Sequence, residues 1–303
     1  MYPQNLKVRI SAPPFRSKTI GNGSQAMLLT NKSKTEVLNF LAERPLHTVA
    51  MTGFIRDNEL VSPANRGAFY GVRNDEGKLE GVALIGHATL METRTQRAVH
   101  AFAEVAQKCS ATHMILGEQE RIGEFWAFYK QGGQEMRLAC RESLFEIRWP
   151  IEIQEKATGL RLATVDELEL IIPVQAQMAQ EQSGINPLEQ DPEGFSRRCR
   201  RRIELERTWI LVEAGSLIFK ADVIADTHEV AYLEGVWVND LGRGDGQGVR
   251  CMAQLSGILL QRAKSISLLV DENNKRAQGF YKKCGFKFLT TYDTIFLAPA
   301  LLN

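Results

Sequence analysis

The stretch LGRGDGQGVR, residues 241–250, constrains the fold of this chain more than any other. It places glycines at alternate positions (242, 244, 246 and 248) between the run VAYLEGVWV at 230–238 and the segment VRCMAQLSGILLQRA at 249–263. The first run is β-branched and aromatic, which predicts a strand, and the second has apolar residues at helical spacing. A strand, a glycine loop and a helix start can cradle phosphates, because backbone N–H groups and the helix dipole face the anion. A flexible surface turn is the alternative.

Composition limits the other classes of function. A chain of 303 residues suits two medium domains or one large one. Its formal net charge of +1 gives no field that would recruit nucleic acid or an acidic membrane. The five histidines show no ligand spacing, so we expect no metal site.

The cysteines and the N-terminus favour a cytoplasmic location. Five cysteines without a C-x-x-C pair indicate reduced thiols and not a disulfide framework. The opening MYPQNLKVRISAPPF lacks the apolar core of a signal peptide, and no run reaches membrane-spanning length. We therefore expect no membrane partner.

The second half of the chain reads as a mixed α/β domain. After a predicted strand at 160–164, a helix is expected to begin at an N-cap, Asp166, and another to begin near Pro192. Strands are predicted at 208–214, 216–226 and 230–238, with Gly215 turning the first hairpin. Beyond the glycine loop, the pattern predicts a helix to about Ala263, the strand SISLLV, a short helix at 274–284 and a final strand pair near 286–297.

The first half repeats much of this order. Phe128 and Tyr129 lie 152 residues before Phe280 and Tyr281, and METRTQ stands where the second half has RGDGQG. An internal repeat of about 150 residues explains this match, and chance similarity between two amphipathic helices is the alternative. We expect domains at 1–150 and 157–303, the first without a phosphate cradle.

The loop does not fit the Rossmann or P-loop fingerprints. Arg243-x-x-Gly246-x-Gly248 instead resembles the R/Q-x-x-G-x-G/A loop of the GNAT superfamily of N-acetyltransferases. VDENNKRAQGFYKKCGF resembles the second signature of that superfamily, with Asn274, Ala277, Phe280, Tyr281, Gly285 and Phe286 at its fixed spacing. The whole chain is similar to a bacterial two-domain branch in which a divergent GNAT-like half precedes the active half. The resemblance implies an α/β fold of two tandem GNAT-like domains, each a mostly antiparallel twisted sheet flanked by helices.

The resemblance also implies acetyl-CoA as cosubstrate. The pyrophosphate would meet N–H groups of residues 244–249, where a Cβ at Gly246 or Gly248 would obstruct it, and pantetheine would pair with the backbone of 235–238. Arg243 can add a charge-assisted contact, although it could also be a solvated loop residue. Asp245 departs from the pattern, because an acidic side chain is unfavourable beside a pyrophosphate. The predicted cofactor-binding residues are Val236, Trp237, Val238, Arg243, Gly244, Asp245, Gly246, Gln247, Gly248, Val249, Asn274 and Tyr281.

Two side chains are the candidate catalytic residues. Alternation places Tyr232, Glu234, Val236 and Val238 on one face of the strand, where Glu234 is the only carboxylate. Glu234 is the candidate general base, directly or through water, and the alternative is an ion pair with Lys220. In the family mechanism Tyr281 protonates the departing thiolate, and the alternative is an aromatic packing role. Asn274 is expected to cap the helix of Tyr281.

The arginine-rich stretch RRCRRRIELER at 197–207 is predicted to be a solvated helix face balanced by Glu204 and Glu206. A nucleic-acid patch and an edge of the pocket for an acidic acceptor are the alternatives. Cys251 and Cys284 have no histidine nearby in sequence, so they are read as packing residues, which favours direct transfer in a ternary complex.

Two functions therefore remain. The first is acetyl-CoA-dependent N-acetylation of a primary amine on a small molecule or peptide, and the second is acyl-CoA binding for sensing or scaffolding without turnover. A homodimer is compatible with the sequence.

Overall fold

The computed structural model describes residues 25–152, 155–239 and 246–299. The strands are β1 (Met27–Leu28), β2 (Gly67–Arg73), β3 (Leu79–Gly86), β4 (Ala88–Thr93), β5 (Met114–Glu118), β6 (Met136–Ile147), β7 (Arg161–Leu162), β8 (Thr208–Glu213), β9 (Ser216–Asp226), β10 (Val230–Val238), β11 (Ser265–Asp271) and β12 (Lys287–Leu297). The helices are α1 (Lys34–Ala42), α2 (Pro45–Asn58), α3 (Gln96–Gln107), α4 (Gln119–Tyr129), α5 (Leu168–Ser183), α6 (Pro187–Gln190), α7 (Pro192–Glu204), α8 (Gln247–Leu259) and α9 (Lys275–Lys283). No helix in these ranges has the length and hydropathy needed to cross a membrane.

The described residues divide into two compact units. One runs to Ser143 and includes the chain from Thr290, and the other is Leu144–Leu289. The end of the chain belongs to the first unit because Tyr292–Phe296 pair with Met114–Glu118 of β5. The domain limits expected from the sequence, 1–150 and 157–303, stay a prediction about independently folding parts.

In the first unit, the order of neighbouring strands in the sheet is β1-β2-β3-β4-β5-β12. Neighbouring strands are antiparallel except β4 and β5, which are parallel and are joined by α3. Helix α3 buries an alanine-rich face that includes Phe102, and α4 buries Phe125 and Tyr129 in the same apolar cluster. Helices α1 and α2 bury a second cluster around Phe40, Met51 and Ile55.

The second unit contains the order β11-β10-β9-β8-β7. Its strands are antiparallel except for the parallel pair of β10 and β11, which α8 connects. The unit therefore has the same order of strand, helix, parallel strand and helix as the first. The α/β class and the mostly antiparallel sheets expected from the sequence are confirmed.

Local signals agree with the structure at most turns. Ala214 and Gly215 have φ of 47° and 77°, the left-handed pair that a tight hairpin between β8 and β9 needs. Pro192 begins α7, as predicted. The cap before α5 differs: Thr164 and Glu167, not Asp166, form a reciprocal capping box. The expected final strand pair is one continuous strand, β12.

Two apolar clusters lie on opposite faces of the sheet in the second unit. One contains Cys251, Met252 and Leu255 of α8 together with Tyr281 of α9. The other contains Ile171 of α5 with Phe195 and Cys199 of α7. The side chains of β10 reach both clusters, and this strand carries the candidate site.

Candidate active site

Strand β10 contains a β-bulge at its centre. Glu234 pairs with Asp222 of β9, and Trp237 pairs with Lys220, so three steps along β10 match two along β9. The extra residue falls next to Gly235, whose φ of +59° is a left-handed conformation that glycine adopts without strain. The bulge therefore changes which side chains share a face.

The predicted single face of Tyr232, Glu234, Val236 and Val238 is wrong because of this bulge. Val236 and Val238 pack against the cluster of α8 and α9, together with Ala231 and Leu233. Trp237 packs on the opposite cluster, with α5 and α7. An extra residue shifts a period of two by one position, so the residues after Gly235 exchange faces. Glu234 thus lies on the face opposite Val236 and Val238.

Strands β10 and β11 separate at the same point. Their parallel ladder runs from Val230↔Ser265 to Leu233↔Leu268, although both strands continue beyond it. Within the described residues, the edge of β10 that faces β11 therefore has no ladder partner over residues 235–237. A gap of this kind, open between two parallel strands, can accept an extended ligand through backbone hydrogen bonds.

The Glu234 carboxylate is crowded by protein and yet open to solvent. Burial among neighbouring groups raises its pKa above the ordinary value, and the Arg202 charge and a hydrogen bond from Tyr232 partly oppose that rise. The residue nevertheless keeps an exposed surface. Because this surface is exposed, the Glu234 carboxylate can contact a bound molecule.

Lys220 has partners other than the Glu234 carboxylate. Its ammonium nitrogen lies 2.6 Å from Asp222 Oδ2, 2.7 Å from Gln175 Oε1 and 3.3 Å from the carbonyl oxygen of Gly235. These three bonds use the three hydrogens that an ammonium group can donate. The contacts do not support the alternative in which Glu234 serves as the partner of Lys220.

The start of helix α8 explains two of the four glycines. Gly246 is the N-cap residue with φ of +80°, which a side chain would strain. A Cβ on Gly248 would lie 3.0 and 3.1 Å from the methyl groups of Val238, so this glycine lets the helix approach β10 closely. Gly248 and Val249 are in the first helical turn, where backbone N–H groups have no intrahelical acceptor.

Arg243, Gly244 and Asp245 lie outside the described residues, and their predicted contacts stay predictions. Gln247 begins α8, and its side-chain amide donates to Glu213. The described part of the loop is thus compatible with a phosphate site at the N-terminus of α8.

Tyr281 is buried on helix α9 in an aromatic cluster. Its ring centroid lies 5.2 Å from that of Phe280, 5.8 Å from Phe286 and 6.5 Å from Phe145. Burial raises the pKa of the phenol well above its ordinary value, and the Cys284 thiol adds to the rise. The hydroxyl therefore keeps its proton over the physiological range and can act as a hydrogen-bond donor.

Asn274 caps α9, as predicted. Its side-chain oxygen accepts a hydrogen bond of 2.9 Å from the backbone N–H of Ala277. We expect Asn274→Ala to lower the free energy of unfolding by about 1 kcal/mol, the usual value of an N-cap. Chemical denaturation would measure it, with Asn273→Ala as the matched control. Equal effects of the two substitutions would contradict a capping role.

The arginine-rich helix α7 is mostly a solvated face. Arg197, Arg198 and Arg200 form ion pairs with acidic side chains on or beside the same helix. Arg202 differs, because its Nη1 lies 2.7 Å from Asp222 Oδ2 in the cluster below the bulge. It is three residues after the buried Cys199, so its helical position could have revealed that it turns inward.

Four residues of this cluster were not predicted as a site: Gln175, Arg202, Lys220 and Asp222. Lys220 and Asp222 are two residues apart in the otherwise apolar segment 217–225 of β9, so alternation places both charges on one face. That spacing was a signal for a buried ion pair. Asp222 also accepts a hydrogen bond of 2.9 Å from the Thr208 hydroxyl.

The first unit has ion pairs at the position that corresponds to this gap. The parallel ladder of β4 and β5 ends at Thr89↔Ile115. Beyond it, Arg44 donates to the buried Glu92 carboxylate at 3.1 Å and to the Glu118 carboxylate at 2.8 Å. One arginine therefore binds a carboxylate on each diverging strand.

This chain is similar to known proteins in sequence over part of its length and in structure over most of it. Residues 177–286 match the family model of the acetyltransferase (GNAT) family. A Drosophila protein of solved structure has a TM-score of 0.64 at 12% identity, covering 91% of this chain and 99% of that one. A GNAT-family acetyltransferase from Colwellia psychrerythraea gives 0.56 at 12% identity, covering 90% and 99%. A tandem GNAT protein from the clavulanic acid biosynthesis pathway gives 0.55 at 12% identity, covering 91% and 99%.

A search of curated protein sequences gives no significant match. The structural matches have low identity and bear on the fold alone. They show that this chain has the fold of GNAT proteins, including that of a tandem GNAT protein, and residues 177–286 match the acetyltransferase (GNAT) family model.

Proposed function

We propose that the second unit transfers an acetyl group from acetyl-CoA to a primary amine of a small molecule or peptide. The observation that carries this proposal is the divergence of β10 and β11 beside the Glu234 carboxylate. The gap would hold the extended pantetheine along residues 235–238, and the N-terminus of α8 would hold the pyrophosphate. The amine would approach the exposed Glu234 carboxylate, whose negative charge favours an ammonium group.

Glu234 acts as the general base in this proposal. A primary amine reaches the site largely as its ammonium form, because its pKa is about 8 to 10. Glu234 takes a proton, directly or through water, and the freed nitrogen lone pair attacks the thioester carbonyl carbon. A carbon–nitrogen bond forms, the carbon–sulfur bond breaks, and the sulfur leaves with the bonding electrons. The new amide nitrogen then loses its remaining extra proton to water.

Tyr281 assists the departure of the sulfur. The raised pKa of its phenol makes complete proton transfer to a thiolate of pKa about 8.5 unfavourable. A hydrogen bond from the hydroxyl to the developing negative charge remains effective, since bonds to charged groups are the stronger ones. The thiolate then takes its proton from solvent.

We expect Tyr281→Phe to lower kcat by about 10- to 100-fold, the value of one hydrogen bond to a charged group. Tyr129→Phe is the matched control, because Tyr129 is the buried tyrosine at the corresponding position of the first unit. Steady-state kinetics on both variants would measure the difference. An unchanged kcat in Tyr281→Phe would reduce the tyrosine to a packing role.

Kinetics can test whether the acetyl group moves directly to the amine in a ternary complex or passes through an acetylated protein. Direct attack in a ternary complex predicts intersecting double-reciprocal lines when both substrates are varied. Parallel lines, or an acetylated protein isolated before the amine is added, would contradict it. Burial raises the pKa of the Cys284 thiol to about 12, so this cysteine is a poor nucleophile for an acetyl-enzyme.

A second candidate is acyl-CoA binding without turnover. The burial of Tyr281 among three aromatic rings favours it, since a packed tyrosine needs no catalytic role. Saturable binding of acetyl-CoA, without acetyl transfer to any amine, would identify this function.

A further inference from the structure

The second unit contains a buried ion pair that the proposed chemistry does not use. Lys220 is completely buried and Asp222 is 1% exposed. A buried ion pair gives little or no net stability relative to apolar side chains of similar volume, because desolvation offsets the attraction. The position of this pair therefore calls for an explanation other than stability.

The pair is located under the bulge. A Cβ on Gly235 would lie 3.0 Å from Asp222 Oδ2, 3.0 Å from Lys220 Nζ and 3.1 Å from Gln175 Oε1. The three polar groups thus occupy the space that a side chain at position 235 would fill. The Lys220 ammonium also donates to the Gly235 carbonyl at 3.3 Å. The cluster therefore contacts the backbone of Gly235 on the side where any other residue would carry its Cβ.

The bulge is also the point at which β10 leaves β11. The last ladder pair is Leu233↔Leu268, and Gly235 follows two residues later. Gln175 belongs to α5, so the cluster connects this helix to the strand. Arg202 and Thr208 complete the hydrogen bonds of Asp222 and hold the carboxylate in place.

We propose that Lys220, Asp222 and Gln175 fix the Gly235 bulge in the shape that separates β10 from β11, which makes Lys220 a positioning residue for acyl transfer. This inference rests on the proposed function for its catalytic consequence. Its structural consequence, a fixed backbone over residues 235–238, does not depend on any substrate.

The test uses the double variant Lys220→Met/Asp222→Asn in the full-length chain. It removes both charges at nearly constant volume, and Asn can still bond to Thr208 and Arg202. The matched control is Lys264→Met/Glu229→Gln, which removes an ion pair of 2.7 Å from the surface of the same unit. Each protein is compared by thermal unfolding, by amide hydrogen exchange and by steady-state kinetics.

We expect the double variant to unfold cooperatively and to exchange the amides of residues 235–238 at least about 10-fold faster, while the β8–β9 hairpin is unchanged. We expect kcat to fall about 10- to 100-fold, because small misplacement of reacting groups is costly. The Kd for acetyl-CoA should rise by a smaller factor than kcat falls, because pantetheine would lose fixed backbone partners while the phosphates would still bind at α8. The surface control should show none of these changes.

Several results would overturn the inference. Unchanged exchange over 235–238 would do so, and so would faster exchange throughout the unit, which indicates a general stabilising role. If the double variant does not fold, Gln175→Leu removes one of the three bonds of Lys220 and should give the same local change at smaller size. If the wild type neither binds acetyl-CoA nor transfers acetyl groups, the proposed function fails, while the exchange comparison still decides whether the cluster fixes the bulge.

Discussion

Replacing Glu234 with glutamine is expected to lower kcat/KM by about 10²- to 10⁴-fold, the usual contribution of a general base. Glutamine keeps the shape of the side chain but cannot take a proton. Affinity for acetyl-CoA should be unchanged, because Glu234 faces away from Val236 and Val238. The matched control is Glu229→Gln, a surface glutamate on the approach to the same strand.

The pH dependence of the reaction gives a second readout of the same substitution. Glu234 must be ionised to accept a proton, and burial raises its pKa above the ordinary glutamate value. The wild-type rate should therefore rise with pH through this raised pKa, and the limb should be missing in Glu234→Gln. The acceptor amine also becomes more reactive as pH rises, so the two proteins are compared at each pH. Unchanged turnover in the variant would exclude Glu234 as the base.

Replacing Gly246 with glutamate is expected to weaken acetyl-CoA binding by at least about 100-fold. The left-handed backbone at φ +80° would be strained by any side chain, and a carboxylate there would repel the pyrophosphate. Gly215→Glu is the matched control, since Gly215 has φ of +77° in a hairpin turn with open space around it. Both substitutions place a side chain on a left-handed backbone, and they differ in their distance from the proposed phosphate site.

Calorimetric titration of acetyl-CoA into the wild type and both variants measures this prediction. One site per chain in the wild type and in Gly215→Glu, and none in Gly246→Glu, is the expected result. Equal affinities in the two variants would mean that the glycines form only a turn. Two sites in the wild type would show that the first unit retains a cofactor site.

The elements that carry the candidate site could be predicted because their signals are local. Alternating glycines after a β-branched run, the Asn274 cap and the Gly215 turn each depend on a few neighbouring residues. The face of β10 was predicted incorrectly because strict alternation was applied across Gly235. A single glycine inside a strand is a known signal for a bulge, and the sequence LEGVWV contains it.

The final strand pair predicted near 286–297 was wrong, because this segment forms one continuous strand, β12. The pairing of β12 with β5 joins residues more than 170 positions apart in sequence, such as Leu116 and Thr294. Local patterns predict that a segment is extended but do not identify its neighbour. The Lys220–Asp222 pair lies between these cases, because the spacing of its charges was visible, whereas Gln175 and Arg202 come from distant helices.

The most direct test of the account is to incubate the wild-type protein with acetyl-CoA and a panel of primary amines. Release of free thiol and formation of N-acetylated product are followed together. The account predicts thiol release that depends on an amine of the panel and equals the N-acetylated product in amount. Saturable acetyl-CoA binding without product from any amine would contradict transferase activity and leave acyl-CoA binding as the function of this site.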